Sequence, residues 1–298
     1  MIVNASSLIA THKTFRALFL ASFDAFTPAW MRHAMTVPTQ TETMVHNWLG
    51  RVGAMKEWVD TKVVDELRGF DYTVKSKDWE NTLGVFRKHM EDDLLGLYNP
   101  RIADLGQRAK QHPDQLLSGL RTTNGLCYDG QNFYDTDHAE GDSGSQANTI
   151  SGTGVTAATI RADWFSARKA LRKFKDDKGE PFVLNLANQD AVAVIPADLE
   201  AVFDEVNNPG PGATFPKTTI HYEIDPRLTD VNDWYTDFVG APVKPFLYQT
   251  RKPINFVSLD NPNTSEIAFD RALYKYGVEG RYVMAYGLWQ FSVRITNT

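Results

Sequence analysis

Residues 128–138 read YDGQNFYDTDH and place Asp129, Asp135, Asp137 and His138 within eleven positions. Carboxylates and an imidazole are the ligand types that a divalent cation selects, so the first chemistry to test is metal-assisted hydrolysis. An EF-hand register that starts at Asp135 fails, because Glu140 stands where the sharp turn needs glycine and Ala139 where an oxygen ligand belongs. A register that starts at Asp129 meets Phe133 at the fifth position. No HExxH pair and no CxxC accompanies DTDH. The competing explanation is local. Asp and Asn side chains bond the backbone two residues ahead and fix turns, which accounts for DG, QN and DTD together. A metal-dependent hydrolase using Asp135, Asp137 and His138 is thus the chemical alternative to a turn motif.

Other chemistry has weaker carriers. The chain contains no GxxxxGK[ST] loop, no GxGxxG and no GxSxG elbow. SGTGVTA at 151–157 imitates a phosphate loop, but it lacks the lysine and no strand is expected before it. Glu91, Asp92 and Asp93 precede a leucine-rich stretch, where negative charge suits the start of a helix. Cys127 is the sole cysteine, so neither an intrachain disulfide nor a thiolate cluster can form. It reads as a small half-buried hydrophobe from a reducing compartment. The residues point to no catalytic group and no cofactor.

The elements that must position these residues follow from periodicity. Leu8, Ile9, Phe15, Leu18, Phe19 and Phe26 predict an amphipathic helix over 6–26, broken at Pro28 and Pro38. It reads as an apolar arm in need of a covering partner, with Phe15, Phe19 and Phe23 as its interface residues. Between 48 and 88, Tyr72 and Val74 share one parity and Trp79, Leu83 and Val85 the other, which predicts a long hairpin with a break between strands. Trp48, Trp58 and Trp79 have few apolar neighbours within that segment, so they read as interface anchors. Asn99 and Pro100 open a helix, and Pro113 is expected to end it and start a second one. The polar stretch 128–154 is long for a connection. Ile160, Trp164, Ala167, Leu171 and Phe174 predict a further helix, AVAVI at 191–195 a buried strand, and ADLEAVFDEV a short helix. Strand-like runs follow in TTIHYEI, DWYTDFV, KPFLYQT and PINFVSL, and ALYKYGVEGRYVMAYGLWQFSVRI predicts two strands turning near Val278–Gly280. This order of elements is that of an α+β fold.

The net charge of −6 argues against a protein whose main task is to grip phosphates, since such domains carry a basic patch. It suits a container, because a mildly acidic wall does not stick to packed DNA. Apolar runs such as AVAVIP fall far short of the roughly 20 residues that cross a bilayer, and the N-terminus lacks the order of a secretory signal.

Five stretches taken together resemble the Mu-type phage major head subunit family: WLGRVGAMKEW at 48–58, WENTLGV at 79–85, MEDDLLGLY at 90–98, YDGQNFYDTDH at 128–138 and GRYVMAYGLWQ at 280–290. The resemblance implies a Hong Kong 97-like capsid fold: an N-terminal arm (1–47), an extended hairpin loop (48–88), a peripheral domain (89–185 and 252–298) with a spine helix around 92–112, and an axial domain (186–251). It further implies hexamers and pentamers of this chain in a virion shell around double-stranded DNA, put together in the bacterial host cytoplasm. Scaffolding is then supplied by a separate protein, and portal and decoration proteins are the other partners. An encapsulin-like compartment is the alternative within the same fold.

Overall fold

Two long neighbouring strands carry the architecture. The computed structural model describes residues 5–49, 69–92, 94–181, 186–259 and 272–297. β9 (Phe246–Leu259) and β10 (Leu273–Tyr286) have 14 residues each and run antiparallel, from Phe246 opposite Tyr286 to Leu259 opposite Lys275. At about 3.3 Å per residue each spans roughly 45 Å. β1 (Ala34–Pro38) joins β9 in parallel and β4 (Lys77–Phe86) joins β10 antiparallel, which gives the sheet β1-β9-β10-β4.

The sequence suggested two runs in place of β9 and a turn at Val278–Gly280 in place of a continuous β10. Neither interruption occurs. Pro253 and Ile254 together face Gly280, and the register slips again between Arg281 and Tyr282. These bulges bend the ladder without ending it and absorb the proline that would otherwise break pairing. Gly277 serves close approach rather than a turn, since a Cβ there would lie 2.9 Å from the Asn81 carbonyl oxygen on β4.

The second sheet has the order β5-β11-β8-β6-β7. Its interior strand β6 (Ala191–Ile195) is buried at every position, as expected for AVAVI. β7 (His221–Ile224) lies parallel to it, and β8 (Trp234–Phe238) is antiparallel and leads to β11 (Ser292–Thr296) and β5 (Thr149–Ser151). α5 (Ala157–Lys173) and α6 (Glu200–Asn207) pack together beside this sheet. The stripe read from spacing, Ile160, Trp164, Ala167, Leu171 and then Phe174, is buried throughout.

The spine is α4 (Asn99–Thr123), a single helix of 25 residues and about 37 Å that continues through Pro113. Pro113 removes one backbone bond, yet it is buried, with Ile102 and Leu105 packed before it and Leu117 and Arg121 after it. Tertiary packing on both sides outweighs the local penalty. Asn99 is the first helical residue rather than the cap, and the helix ends where Asn124 adopts φ 47°. Glu91 closes the short α3 (Arg87–Glu91) and Asp92 follows as its C-cap, so this acidic run does not open the spine.

α1 (Ala5–Ala25) forms close to the expected bounds, but its own chain covers it. Leu8, Phe15 and Phe19 are buried together with Met90, Ile102, Leu105, Tyr274 and Tyr276. Phe15 meets Tyr276 edge-on at 4.9 Å, Phe19 stacks on Phe23 at 5.6 Å, and the Lys110 ammonium lies 4.3 Å from the Phe23 ring. The contact with α4 is tight at Gly106, where a Cβ would sit 2.6 Å from the Phe19 carbonyl oxygen. Gly106→Val is therefore expected to cost about 1–3 kcal/mol, to lower the thermal midpoint and to expose α1 to limited proteolysis. Gly119→Ala, whose Cβ meets nothing within 4 Å on the same helix, is expected to be neutral or stabilising by up to about 1 kcal/mol. Calorimetry of both variants checks the pair.

Candidate functional site

The polar stretch after α4 folds as a packed plug rather than a ligand cradle. Asp129 uses Oδ1 to accept the Gln131 amide at 3.2 Å, and its Oδ2 lies 2.6 Å from Nδ1 of His138. The His138 ring is buried and stacks on Trp289 at 4.1 Å with 7° between planes. Asp135 binds the next backbone amide, that of Thr136, at 2.7 Å, and Asp137 is exposed. Among the described residues no three His, Cys, Asp or Glu side chains converge on a point that could hold a metal ion. The imidazole is paired with Asp129, not with the Asp135 and Asp137 that share its DTDH motif.

Residues that sequence reasoning passed over hold the plug in place. Asn148 accepts the Asp135 amide at 2.8 Å and donates to the carbonyl oxygens of Phe133 and Ser292 at 2.7 and 3.2 Å. Glu140 accepts from the Tyr128 hydroxyl, from the Trp289 indole at 2.8 Å and from Gln290 at 2.8 Å. Burial raises its pKa despite these donors. Burial likewise pushes the Cys127 thiol well above its ordinary range, which keeps it protonated and unreactive. SGTGVTA does follow a strand, the three-residue β5. Its amides are committed within the chain, Thr153 to Asp163 at 2.9 Å and Gly154 to Asn297 at 3.0 Å.

The runs around Tyr72 and Trp79 do not pair with each other: β3 (Gly69–Lys75) instead forms a ladder with β2 (Thr43–Leu49), which begins inside the expected arm, from Thr43 opposite Lys75 to Leu49 opposite Gly69. Buried Gln249 clips its base to β9: His46 lies 2.8 Å from Oε1, and Nε2 donates to Ser76 at 3.0 Å and to the Val74 carbonyl at 3.3 Å. The backbone of Trp48 pairs with Phe70 on this ladder, whereas its side chain and all of Trp58 lie outside the described residues. Trp79 is not on the hairpin. It sits on β4, donates to the Tyr282 carbonyl at 2.9 Å and packs on His112 at 4.4 Å. Phe15, Phe19 and Trp79 thus place their rings within their own chain. Exposed apolar side chains include Phe86 (47% exposed) and Leu97 (66%), with Leu94, Val257 and Leu259. Register puts Phe86, Val257 and Leu259 on the sheet face opposite Tyr274 and Tyr276, which α1 and α4 cover.

A spine helix lying along a long-stranded sheet, beside a second mixed sheet and with a hairpin clipped to its edge, is the subunit fold of tailed-phage capsids, the Hong Kong 97-like fold. The chain aligns with the subunit in the procapsid of bacteriophage JBD30 at a TM-score of 0.61 and 23% identity, over 99% of this chain and 77% of that one. Within that class it belongs to the family described as Mu-like prophage major head subunit gpT, whose model matches residues 8–165 and 225–298. The Mu-like prophage FluMu major head subunit of Haemophilus influenzae is 26% identical over 261 residues, 87% of this chain and 63% of that protein. The major capsid protein of Escherichia phage Mu is 24% identical over 297 residues, 99% of this chain and 75% of that protein. The chain therefore spans a little under two thirds of the Haemophilus relative's length. Among the described residues no helix is long and apolar enough to cross a membrane.

Removing Glu140 takes away the acceptor of the buried Trp289 indole and leaves Tyr128 and Gln290 with only their hydrogen bonds to each other. Glu140→Ala is expected to destabilise by on the order of 3 kcal/mol, against about 0.5 kcal/mol or less for Asp137→Ala at the exposed position. A chelator is expected to leave the thermal midpoint of the wild-type chain unchanged. A drop on chelation would restore the metal reading of DTDH.

Proposed function

We propose that this chain is the major head subunit of a Mu-like phage or prophage, and that many copies close into the icosahedral shell around double-stranded DNA. The observation that carries this reading is the match of one capsid-subunit family along most of the chain, joined to a capsid fold that aligns over almost its full length. Hexamers and pentamers are the units, assembled in the host cytoplasm with scaffolding, portal and decoration proteins as partners. Each subunit contact is modest, and closure multiplies it. The mild negative charge fits an inner wall that does not adhere to the DNA it contains.

In this reading residues 1–47 are the arm, 48–88 the extended hairpin, 89–185 and 252–298 the peripheral domain, and 186–251 the axial domain. The boundary at 252 falls inside β9, next to the bulge that bends it. β5 and β11, assigned to the peripheral part, pair in one sheet with β8, β6 and β7 of the axial part. The two parts then share a continuous sheet. Trp48 and Trp58, which belong to the hairpin, are its anchors on neighbouring subunits, and the exposed Phe86, Leu94, Leu97, Val257 and Leu259 supply further contact area.

Replacing residues 50–68 by Asn-Gly closes the β2–β3 ladder with a two-residue turn and keeps its clip to Gln249. This variant is expected to fold, with a circular dichroism spectrum and a melting midpoint close to those of the full chain, and to give no closed particles by negative-stain microscopy. Normal particles from it would refute the role of the hairpin. Protein cargo in place of DNA inside wild-type particles would move the assignment to an encapsulin-like compartment.

A further inference from the structure

A buried charge cluster joins the N-terminal segment to the second sheet, and shell formation does not account for it. His33 is the last residue of α2 (Trp30–His33) and is 1% exposed. Its Nδ1 lies 2.6 Å from Oδ2 of Asp237 on β8, and its Nε2 lies 2.9 Å from Oε2 of Glu223 on β7. Both carboxyl groups have further donors. Asp237 accepts from Arg121 at 2.7 Å and from the Ser292 hydroxyl at 2.6 Å, and Glu223 accepts from Arg32 at 3.0 Å. So placed, both are ionised and can only accept. A neutral imidazole has one N–H and would turn a lone pair toward one of them, so the geometry requires both ring nitrogens of His33 to carry a proton.

Burial opposes that charge, but the hydrogen bonds to Asp237 and Glu223 outweigh it and raise the His33 pKa above its ordinary value. Burial also opposes the charge on Glu223, and there the His33 and Arg32 bonds prevail and lower its pKa. The other charged groups around the ring come from α4 and from the turn after β7. Arg121 repels it, Asp114 accepts the Trp30 amide at 2.7 Å, and Asp225 and Arg227 line a cleft of about 270 Å³ that His33 also borders.

The position of the cluster gives it leverage. β1 begins at the next residue, Ala34, on the edge of the first sheet, whereas both carboxylates belong to the second. We propose that His33 is a proton-dependent latch, which when charged pins the N-terminal segment and the edge strand β1 to β7 and β8, and when neutral releases them. An unfolded histidine titrates near about 6.5 and the folded one higher. The latch is therefore fully engaged below about pH 6.5 and opens as pH rises through the folded value. At the acid end the carboxylates contribute above their unfolded range, and that contribution is lost as pH falls through their lowered values.

Hydrogen exchange of the full chain between pH 6 and pH 9, corrected for intrinsic rates, reads the latch directly and does not depend on shell formation. Protection of residues 30–38 and 221–224 is expected to fall by about tenfold or more as the latch opens, while the buried strand 191–195 stays unchanged. In His33→Gln, whose amide can donate to one carboxylate only, protection of 30–38 is expected to be low at pH 6 and to show no step. A flat wild-type profile, or the same step in His33→Gln, overturns the proposal. Should that variant fail to fold, the ring nitrogen shifts of wild-type His33 decide. The imidazolium form at pH 7 supports the latch, and a neutral tautomer at pH 7 overturns it.

Discussion

Asp237 has no exposed surface and carries a charge. Burial opposes ionisation, but Arg121 and the His33 ring hold the carboxyl well below the usual carboxylate range. Three separate parts of the chain meet on its two oxygens: the spine helix through Arg121, the N-terminal segment through His33, and the C-terminal strand through Ser292. An apolar core tolerates many packings of similar energy, whereas a buried carboxylate tolerates few, because loss of one partner strands the others at a cost of about 3–5 kcal/mol. Asp237 thus ties the order of the elements to one arrangement. The Phe246 ring, 4.8 Å from the Arg121 guanidinium, carries the same constraint into the first strand pair.

Around that point the fold divides its work between stiffness and reach. β9 and β10 are long enough to link both hydrophobic cores, and their bulges let one ladder serve two differently oriented halves. α4 does the same on the helical side, packing against α1 near its start and closing over the Tyr134 loop at its end. The hairpin touches this body through a polar clip at Gln249 and a small apolar patch of Val74, Leu247 and Ala285.

Much of the fold was legible because periodicity reports burial. α5 and β6 follow their apolar spacing residue by residue, and α1 buries Leu8, Phe15 and Phe19 of its stripe but leaves Ile9 exposed. The differences share one cause: local chemistry points one way where tertiary packing decides. Pro113 reads as a break, yet contacts on both of its sides hold the helix straight through it. Val278–Gly280 reads as a turn, yet Gly280 makes room for Tyr282 and Ile254, and Gly277 beside it makes room for β4. Phe15 and Phe19 read as an arm seeking a partner, because nothing in residues 6–26 shows that β10 will bring Tyr276 to meet them. The polar plug was half legible. DG and DTD give the turns, but Asn148, Glu140 and Gln290 look like surface residues until their partners, more than 140 positions away in two cases, are known.

The same contrast bears on which surfaces are free to associate. Ring area spent inside the chain cannot be spent again between chains, so burial of Phe15 and Phe19 removes them from any contact that leaves the subunit intact, whereas Trp79 is half-buried and keeps part of its ring exposed. Phe86, Val257 and Leu259 share a face that lies opposite α1 and α4, with Leu94 and Leu97 following in the chain. Gly84 and Gly277 lie on that face and keep it low between the side chains. Toward its far end the face carries Asp78 paired with Arg281 and Lys252 paired with Glu279. Exposed pairs of this kind add little stability to the chain itself. The two pairs limit the cost of covering that end, and the apolar end gains from any contact that shields it from water.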